Sequence, residues 1–453
     1  MSDTLMISVS GMRGHVGTDL TPELVARHAA ALGAWVRSRG GTRVVLGRDA
    51  RTSGPMFALA ATAGLQSVGV DVIDVGVAPT PTVQMAVEHH HAGAGLIITA
   101  SHNPIEWNAL KFVGPDGIFL DAEAGAVVRR LAEDGPERAG WDSIGTLTHD
   151  EDAIRRHLDA ILALPLIDVP AIRAGNFHVA LDCVRGAGGP TMLALFERLG
   201  VRVSGMNLEA DGRFPREPEP IPENLGALAD LVRSSGADIG MAVDPDVDRL
   251  ALVDELGHPI GEDYTLALAV RAVLARLPAT AAAPTVVANL STSLVVEDAA
   301  RAGGARFVRA PVGEANVARS IVSEGAVIGG EGNGGVILPA LHVGRDAPLG
   351  AALILQHLAT TGQGLAALVA SAPRYLIVKA KSPRGGDLPA LYAALRGYFP
   401  DASVDLRDGL RLSWTDRWLH VRPSGTEPIV RLIAEAPTGA EAEALVAKAR
   451  AAR

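Results

Sequence analysis

Short apolar runs alternate with longer amphipathic segments along the first part of the chain. Residues 21–40, "TPELVARHAAALGAWVRSRG", have helical spacing of their apolar positions, with Thr21 placed as the N-cap, Pro22 at the first helical position and a glycine at the end. The following segments predict a strand ("TRVVLGRD"), a helix ("GPMFALAATAGLQSVG") and two more strands ("VDVIDVG" and "LIIT"). This alternation predicts an α/β unit whose short apolar strands run parallel.

The same alternation returns twice. "FHVALDCVRGAGGPTMLALFERLG" predicts a strand, a glycine-rich turn and a helix, and "ALADLVRSSGADIGMAVDPDVDR" predicts a helix, a strand and an acidic loop. "PTVVANLSTSLVVEDAARAGG" and "GAVIGGEGNGGVI" are again strands that end in loops. We therefore expect three successive α/β domains, at residues 1–150, 151–251 and 252–371. The segments "AEDGPERAGWDSIG" and "PREPEPIPENLG" are expected to be surface loops.

The pattern changes near Ala372. "GLRLSWTDRWLHVRPSGTEPIVRLIAEA" predicts antiparallel strands around tight turns, and "TGAEAEALVAKARAAR" predicts a terminal helix. We expect residues 372–453 to form a C-terminal α+β domain with an antiparallel sheet.

Composition limits the classes of protein to which the chain can belong. Of its 453 residues, 48% are hydrophobic and only 4% aromatic, so we expect globular domains with largely aliphatic cores. The formal charge of −10 argues against nucleic acid as a partner, but not against small phosphorylated ligands. Cys183 is the single cysteine, which excludes an intramolecular disulfide. With no signal peptide and no apolar run of about 20 residues, we expect a cytoplasmic protein without a membrane partner.

The strand "LIIT" ends in a small polar cluster, and we call residues 99–104, "TASHNP", the serine loop. Ligands of open α/β sheets gather at the carboxyl ends of strands, where this loop is expected. An isolated serine there is more often a helix cap. In this loop, however, Asn103 and Pro104 predict a tight turn that holds Ser101 outward, and His102 adds a titratable neighbour. Ser101 is therefore a candidate nucleophile.

The second polar loop, residues 244–249, "DPDVDR", is called the metal loop. Asp244, Asp246 and Asp248 alternate, so along an extended stretch their carboxylates could turn towards one point. Hard cations such as Mg²⁺ prefer oxygen ligands. A solvated acidic loop is the alternative, but three neighbouring carboxylates repel one another unless a cation or Arg249 offsets their charge. We expect Mg²⁺ here.

Two further loops suit a sugar and a phosphate. The sugar loop, residues 329–337, "GGEGNGGVI", has Glu331 and Asn333 as its only polar side chains, an arrangement that suits pairs of sugar hydroxyls; a flexible turn is the alternative. The phosphate loop, residues 422–431, "RPSGTEPIVR", combines arginines, hydroxyls and free backbone N–H groups that favour a phosphate dianion over an incidental exposed turn. Its candidate ligands are Arg422, Ser424, Gly425, Thr426 and Arg431.

Together these motifs resemble those of the α-D-phosphohexomutases. The four loops are similar to the family's phosphoserine, metal, sugar-specificity and phosphate-binding loops, and "SGMRG" and "GRDARTSG" are similar to its N-terminal signatures. The likeness runs from Ser10 to Glu435. It implies four domains around a central cleft, of which three are α/β and the last is an α+β domain.

The resemblance also implies a mechanism. Ser101 would carry a phosphoryl group, and Asp244, Asp246, Asp248 and an oxygen of that phosphate would hold Mg²⁺. The phosphoserine would phosphorylate the free hydroxyl of a sugar monophosphate. The resulting bisphosphate would turn over in the cleft and return its other phosphate to the serine, with a hexose bisphosphate as the primer of the cycle. Such phosphoryl transfer depends mainly on positioning and charge stabilisation.

Further roles follow from the same resemblance. Arg422 and the Ser424–Thr426 turn would hold the phosphate that is not reacting. Arg13 and Lys111 would flank the phosphoserine, and Lys111 would transfer a proton if its pKa is lowered in the cleft. His102, the titratable neighbour of Ser101, is a further catalytic candidate. For Arg13 and Lys111 the alternative is an ordinary surface cation.

One departure from the family concerns the sugar loop. Many members carry the pattern Glu-x-Ser-Gly-His. This chain has Asn333 in place of the serine and Gly335 in place of the histidine, so the imidazole is missing. His342, seven residues further on, could replace it, although a lone loop histidine is usually incidental. The form "GEGNGG", with "APVGEANVA" before it and "GRDAP" after it, is most similar to the archaeal phosphoglucosamine mutase branch.

We therefore expect an isomerase that interconverts glucosamine 6-phosphate and glucosamine 1-phosphate. A phosphomannomutase/phosphoglucomutase of broad specificity is the nearest alternative, because Glu331 and Asn333 would address 3- and 4-hydroxyls that glucose and glucosamine share. A sugar-phosphate phosphatase and a non-catalytic sensor are more distant alternatives. Family members are commonly monomers or homodimers, and nothing in the sequence separates the two.

Overall fold

The structure is a computed structural model, and it describes residues 6–8, 11–278, 283–383, 386–424 and 429–452.

The first sheet contains the strands of the N-terminal third of the chain. The elements of this region are β1 (Met6–Ser8), β2 (Gly11–His15), α1 (Pro22–Ser38), β3 (Arg43–Arg48), α2 (Gly54–Gln66), β4 (Asp71–Val77), α3 (Thr80–His89), β5 (Ala94–Ile98), β6 (Trp107–Val113), α4 (Ala122–Asp134) and β7 (Leu147–His149). The strand order is β1-β2-β6-β5-β3-β4-β7.

Within that sheet the predicted parallel pairing of β3 with β4 and β5 is confirmed. The hydrophobic pattern did not predict the antiparallel edge that β6, β2 and β1 add beyond β5. The N-terminus of α1 also follows the prediction: Pro22 is its first residue, and Oγ1 of Thr21 accepts a hydrogen bond from the N–H of Leu24.

Two four-stranded sheets follow. The second has the order β11-β10-β8-β9 and the third β13-β12-β14-β15, each with parallel central strands and one antiparallel edge strand. The elements of the second are α5 (Ala153–Leu162), α6 (Val169–Ala174), β8 (His178–Asp182), α7 (Gly188–Leu199), β9 (Arg202–Met206), α8 (Gly226–Ser235), β10 (Ile239–Val243) and β11 (Leu250–Val253). Those of the third are α9 (Glu262–Leu274), β12 (Thr285–Asn289), α10 (Leu294–Ala302), β13 (Arg306–Ala310), α11 (Glu314–Glu324), β14 (Ile328–Glu331), β15 (Gly335–Ile337), α12 (Ala347–Thr361) and α13 (Leu365–Ala370).

The fourth sheet is antiparallel throughout and has the order β16-β20-β19-β18-β17. Its elements are β16 (Leu376–Pro383), α14 (Leu388–Tyr398), β17 (Ser403–Asp405), β18 (Leu410–Ser413), β19 (Trp418–Pro423), β20 (Ile429–Ala436) and α15 (Gly439–Ala451). The predicted fold class, three α/β units and a C-terminal α+β unit, is confirmed. The strand β11 ends two residues beyond 251, where we expected a boundary, because it completes a hairpin with β10.

The second and third units share one apolar core. It runs from Leu158 in α5 to Leu368 in α13 and is built mostly from Ala, Val, Leu and Ile, as the low aromatic content indicates. The first sheet packs apolar clusters on both faces, and the fourth unit has a core of its own. Within the described part of the chain, no helix combines the length and apolarity that a bilayer span requires.

Candidate active site

Ser101 lies directly beyond β5 in a strained backbone conformation. Its φ angle is +49°, in the left-handed region that non-glycine residues seldom adopt. The side chain is 3% exposed, and its Oγ donates a hydrogen bond to Oδ2 of Asp244 at 2.7 Å. Nδ1 of His102 lies 3.4 Å from the same oxygen. The predicted nucleophile therefore touches the predicted metal loop.

A buried arginine holds the serine loop in this shape. The guanidinium of Arg51 is 1% exposed and donates at 2.7–2.8 Å to three carbonyls of the serine loop and to one at the start of β6. Its Nε pairs with Asp49 at 3.1 Å, and Asp49 also accepts from Thr99, which in turn accepts from the N–H of Ser101. The carbonyls that Arg51 binds belong to Ser101, Asn103, Pro104 and Trp107. The sequence showed Arg51 only as part of the motif "GRDARTSG", and nothing local to the motif reveals this function.

The metal loop brings its three carboxylates together by a turn. Asp244, Asp246 and Asp248 are fully buried, and one ligand atom from each lies within 4.8 Å of the others. The predicted convergence is confirmed, but the expected extended stretch is wrong. The N–H of Val247 donates to the carbonyl of Asp244, and Val247 has a φ of +63°. A turn allows all three carboxylates to face one point, whereas an extended strand would spread them over about 13 Å.

Two cations from other parts of the chain, Lys111 in β6 and Arg345 in the loop between β15 and α12, offset the repulsion within the triad. Nζ of Lys111 lies 2.7 Å from Asp246 and 3.8 Å from Asp248. Nη2 of Arg345 lies 2.5 Å from Asp248, whereas Arg249, the expected partner, is 3.7 Å from that carboxylate. Burial raises the pKa of Asp246, but the Lys111 ammonium outweighs burial and holds that pKa below its ordinary value.

Asp244 differs from the other two, because its carboxylate forms no ion pair within the described ranges of the chain. Burial and then the charges of Asp248 and Asp246 raise its pKa well above the ordinary value. Burial lowers the pKa of Lys111, but Asp246 and Asp248 raise it above its usual value overall. Lys111 is thus a cation paired with the triad, and the lowered pKa that proton transfer by Lys111 would need is not present in this arrangement.

The other residues expected beside Ser101 lie around it. Arg13 in β2 donates to Oδ1 of Asn103 at 2.6 Å, and burial lowers its pKa. Burial, followed by the charges of Arg249 and Arg13, lowers the pKa of His102 well below 6.5, so its imidazole is neutral at pH 7. Nε2 of His102 lies 3.8 Å from Glu219. Arg13, His102 and Arg249 line both of two adjoining cavities, of about 480 and 1090 Å³.

In the sugar loop the two polar side chains differ in accessibility. Asn333 is half-buried and lines the larger cavity. Glu331 is 4% exposed, and protein groups contact both its oxygens: Asn289 and the N–H of Gly313 donate to one, and Arg345 to the other. The fixed carboxylate of Glu331 and the cavity-facing amide of Asn333 thus stand two residues apart.

Arg345 is the residue that sequence reasoning missed. Its guanidinium contacts Glu314 and Glu331 at 3.0 Å each, besides Asp248 at 2.5 Å. Burial lowers its pKa, but these three carboxylates raise it well above the ordinary value. The motif "GRDAP" contains this arginine, yet its partners lie 14–97 residues away along the chain. No local pattern could have assigned it to the metal and sugar loops.

The glycines of the sugar loop serve packing within the protein. Gly334 has a φ of +88°, and a Cβ there would lie 2.4 Å from the carbonyl oxygen of Leu250. A Cβ on Gly335 would lie 2.2 Å from Cδ of Arg345. We expected these glycines to let the backbone approach a ligand; at these two positions they instead admit the protein's own backbone and side chain.

The phosphate loop adjoins a row of three cations. Arg422 in β19 pairs in register with Arg431 in β20, which pairs in register with Lys381 in β16. All three residues line the larger cavity, and Nε of Arg422 donates to Asp408 at 3.0 Å. Three neighbouring cations on one wall of the cavity favour an anion there, because hydrogen bonds from charged donors to a phosphate are strong.

The remaining candidates are placed as follows. Ser424 is 4% exposed, and its N–H donates to the carbonyl of Ile429. Gly425 and Thr426 lie outside the described residues. His342 is buried, and its Nε2 lies 3.0 Å from Asp346, beside His157. The structure thus places His342 in an interior cluster and not among the side chains that line the two cavities.

Comparison with protein families accounts for nearly the whole chain. Four models match in order: phosphoglucomutase/phosphomannomutase alpha/beta/alpha domain I at residues 5–138, domain II at 155–257, domain III at 261–375 and the C-terminal domain at 378–452.

Individual relatives agree with this match. The chain is 40% identical over 437 residues to a phosphoglucomutase/phosphomannomutase of Thermococcus kodakarensis, covering 94% of this chain and 93% of the relative. It is 37% identical over 442 residues to a protein named probable phosphoglucosamine mutase from Methanopyrus kandleri, covering 96% and 95%. The crystal structure of a phosphoglucomutase/phosphomannomutase family protein from Burkholderia thailandensis matches with a TM-score of 0.87 at 27% identity, covering 99% and 96%. The chain belongs to the phosphoglucomutase/phosphomannomutase family, and it is an enzyme of the phosphohexomutase class.

Proposed function

We propose that this protein moves a phosphoryl group between O6 and O1 of a hexose monophosphate, through a phosphoserine at Ser101 and a bound hexose bisphosphate. The observation that carries the proposal is the 2.7 Å contact between Oγ of Ser101 and Asp244, within a buried triad of carboxylates. A nucleophile in contact with a cation site can share its phosphoryl oxygen with the cation. Phosphoryl transfer relies on such positioning and charge stabilisation.

The triad suits Mg²⁺. Asp246 and Asp248 each keep one buried oxygen, Oδ1, that accepts no hydrogen bond within the described part of the chain. Carboxylate oxygens are the ligands that Mg²⁺ prefers. When bound, the ion would neutralise charge on the transferring phosphoryl group. Lys111 and Arg345 hold the other oxygens of Asp246 and Asp248, which leaves the Oδ1 atoms oriented for the cation.

Side chains around the cavities supply the rest of the proposed chemistry. Arg13 and Arg249 hold the reacting phosphate beside Ser101, and Arg422 with Arg431 holds the phosphate at the other end of the sugar. His102 is the proton acceptor, because its imidazole is neutral and Nδ1 lies 3.4 Å from Oγ of the serine. The larger cavity, about 1090 Å³, gives a hexose bisphosphate room to reverse its direction.

We propose glucosamine phosphate as the substrate. The form "GEGNGG" of the sugar loop and the 37% identical relative from Methanopyrus kandleri support this substrate. The second candidate is a phosphomannomutase/phosphoglucomutase of broad specificity, which the 40% identical relative from Thermococcus kodakarensis supports. In both, Glu331 and Asn333 bind hydroxyls of the sugar ring.

A mutase assay with Mg²⁺ and the matching sugar bisphosphate tests the proposal. Glucosamine 6-phosphate, glucose 1-phosphate and mannose 1-phosphate would be compared, with Ser101→Ala as the control. Preference for glucosamine phosphate, lost in the variant, is the expected result. Equal or better turnover of the other two sugars would favour the second candidate. Net release of inorganic phosphate would show a phosphatase, and full activity of Ser101→Ala would overturn the phosphoserine mechanism.

A further inference from the structure

Ser291 lines the larger cavity, and its side chain is hydrogen-bonded to a histidine of another sheet. It follows β12 in the third sheet and lines the cavity together with Asn289 and Asn333. Its Oγ lies 2.8 Å from Nδ1 of His420, which belongs to β19 of the fourth sheet.

The surroundings of His420 determine which atom donates in that contact. Nε2 of His420 lies 2.7 Å from the backbone oxygen of Asp408. A carbonyl oxygen can only accept a hydrogen bond, so Nε2 must carry the ring proton. Burial lowers the pKa of His420 to about 4, so the ring is neutral at pH 7 and Nδ1 has no hydrogen. The hydroxyl of Ser291 must therefore be the donor to Nδ1.

This assignment leaves Oγ of Ser291 with lone pairs alone for the cavity. A serine hydroxyl has one hydrogen and two acceptor lone pairs, and the hydrogen is already used. The backbone is also held, because the N–H of Ser291 donates to Oδ1 of Asn289 at 2.8 Å. The Nδ2 of the same asparagine donates to Glu331 at 2.8 Å. Ser291 and the sugar loop are thus fixed through one shared residue.

We propose that Ser291 accepts a hydrogen bond from one O–H or N–H group on the sugar ring, with its polarity set by His420 and the carbonyl of Asp408. The proposal rests on the proposed function, since it names a contact to the substrate of that site. If the ring position that faces Ser291 carries no hydrogen-bond donor, Ser291 adds nothing to the affinity for that sugar. The contact should add more affinity for a charged ammonium than for a hydroxyl, because hydrogen bonds to charged groups are stronger.

Calorimetric titration in a Ser101→Ala background, where no turnover occurs, tests this contact in the presence of Mg²⁺. The ligands are glucosamine 6-phosphate, glucose 6-phosphate and the 2-, 3- and 4-deoxy analogues of glucose 6-phosphate. Adding Ser291→Ala should raise Kd about 3- to 10-fold for every ligand except the deoxy analogue that lacks the donor, whose Kd should not change. If the donor is at carbon 2, Ser291→Ala should raise the Kd of glucosamine 6-phosphate more than that of glucose 6-phosphate.

Ser234→Ala, which removes an exposed hydroxyl of α8 that hydrogen-bonds only within its own helix, is the matched control, and unfolding midpoints show whether the variants fold alike. Two results would overturn the proposal: no rise in Kd for any ligand, or an equal rise for all of them, which a general structural role would produce. If no sugar phosphate binds the Ser101→Ala protein at all, the proposed function itself fails. That result differs from either pattern that concerns Ser291 alone.

Discussion

Gly335 and Arg345 depend on each other: a Cβ on Gly335 would lie 2.2 Å from Cδ of Arg345, so no larger side chain fits at position 335 while the arginine keeps its place. The arginine contacts Asp248 of the metal loop and Glu331 of the sugar loop. The family pattern that places a histidine at this point therefore cannot coexist with the present position of Arg345.

Gly335→Ala tests this dependence. We expect the methyl group to displace Arg345, to destabilise the fold by about 1–3 kcal/mol through overpacking, and to reduce kcat at least about tenfold because Asp248 and Glu331 lose a shared partner. Arg345→Ala should have a similar effect on kcat, and the double variant should lose less than the sum of the two. Gly397→Ala is the control, since its Cβ would meet open space. Additive losses of kcat would contradict the dependence.

Mg²⁺ should stabilise the folded protein through the metal loop. At a free concentration about 100 times its Kd, an ion that binds the folded state alone raises the free energy of unfolding by about 2.7 kcal/mol. Chemical denaturation with and without Mg²⁺ measures this rise. Asp246→Asn should abolish it, whereas Asp230→Asn, which alters an exposed ion pair with Arg233, should not. A full rise in Asp246→Asn would place the ion elsewhere.

Arg51 should matter for both stability and catalysis. Arg51→Met leaves the buried carboxylate of Asp49 without its cation, for which we expect a loss of about 3–5 kcal/mol in the free energy of unfolding. Arg51→Lys keeps the charge, but one ammonium cannot donate to four carbonyls, so kcat should fall while the protein still folds. Denaturation and steady-state assays measure the two effects, with the exposed Arg129→Met as control. An unchanged kcat in Arg51→Lys would show that the serine loop keeps its shape unaided.

The pattern of successes in the sequence analysis has a physical reason. Ser101 and the three aspartates were found because each group of ligands is continuous in sequence, so the loop itself carries the chemistry. The pairing of cations with the triad was not predicted: Lys111 was expected beside the phosphoserine, but it meets Asp246 across 135 residues, and Arg345, which was not a candidate, meets Asp248 across 97. The alternation of strands and helices likewise predicted the α/β units but not the antiparallel edge strands, which depend on pairing with distant partners.

Asp263 should make stability depend on pH. Burial raises the pKa of this carboxyl to about 8, and its Oδ1 accepts from the N–H of Ser293. In the unfolded chain the group ionises near pH 4, so between about pH 4 and 8 unfolding releases a proton. The free energy of unfolding should therefore fall as pH rises, by up to about 1.4 kcal/mol per pH unit.

Asp263→Asn keeps a neutral group of similar shape, so the variant should lose this component of the pH dependence. Urea denaturation at pH 5, 6 and 7 measures the slope for both proteins. Asp230→Asn, an exposed carboxylate, is the control and should keep the wild-type slope. Identical slopes for wild type and Asp263→Asn would contradict the prediction.

The cation row of the fourth sheet should bind phosphate. Arg431→Gln removes the central charge between Lys381 and Arg422, so the variant should bind an anion more weakly. Inorganic phosphate should therefore stabilise wild type more than the variant. Thermal unfolding across a phosphate titration measures this difference, with the exposed Arg396→Gln as control. If phosphate stabilised both proteins equally, Arg431 would not be a phosphate ligand.

The interior cluster of His157, His342 and Asp346 has a consequence for synthesis of the chain. Nε2 of His157 lies 2.7 Å from a carboxylate oxygen of Asp346, and 189 residues separate the two. This contact cannot form until the ribosome has made more than three quarters of the polypeptide. Before that point Nδ1 of His157 can already contact Oγ1 of Thr82, which lies 2.8 Å away in the folded protein, but Nε2 lacks its final partner. The imidazole therefore completes its hydrogen bonds late in translation.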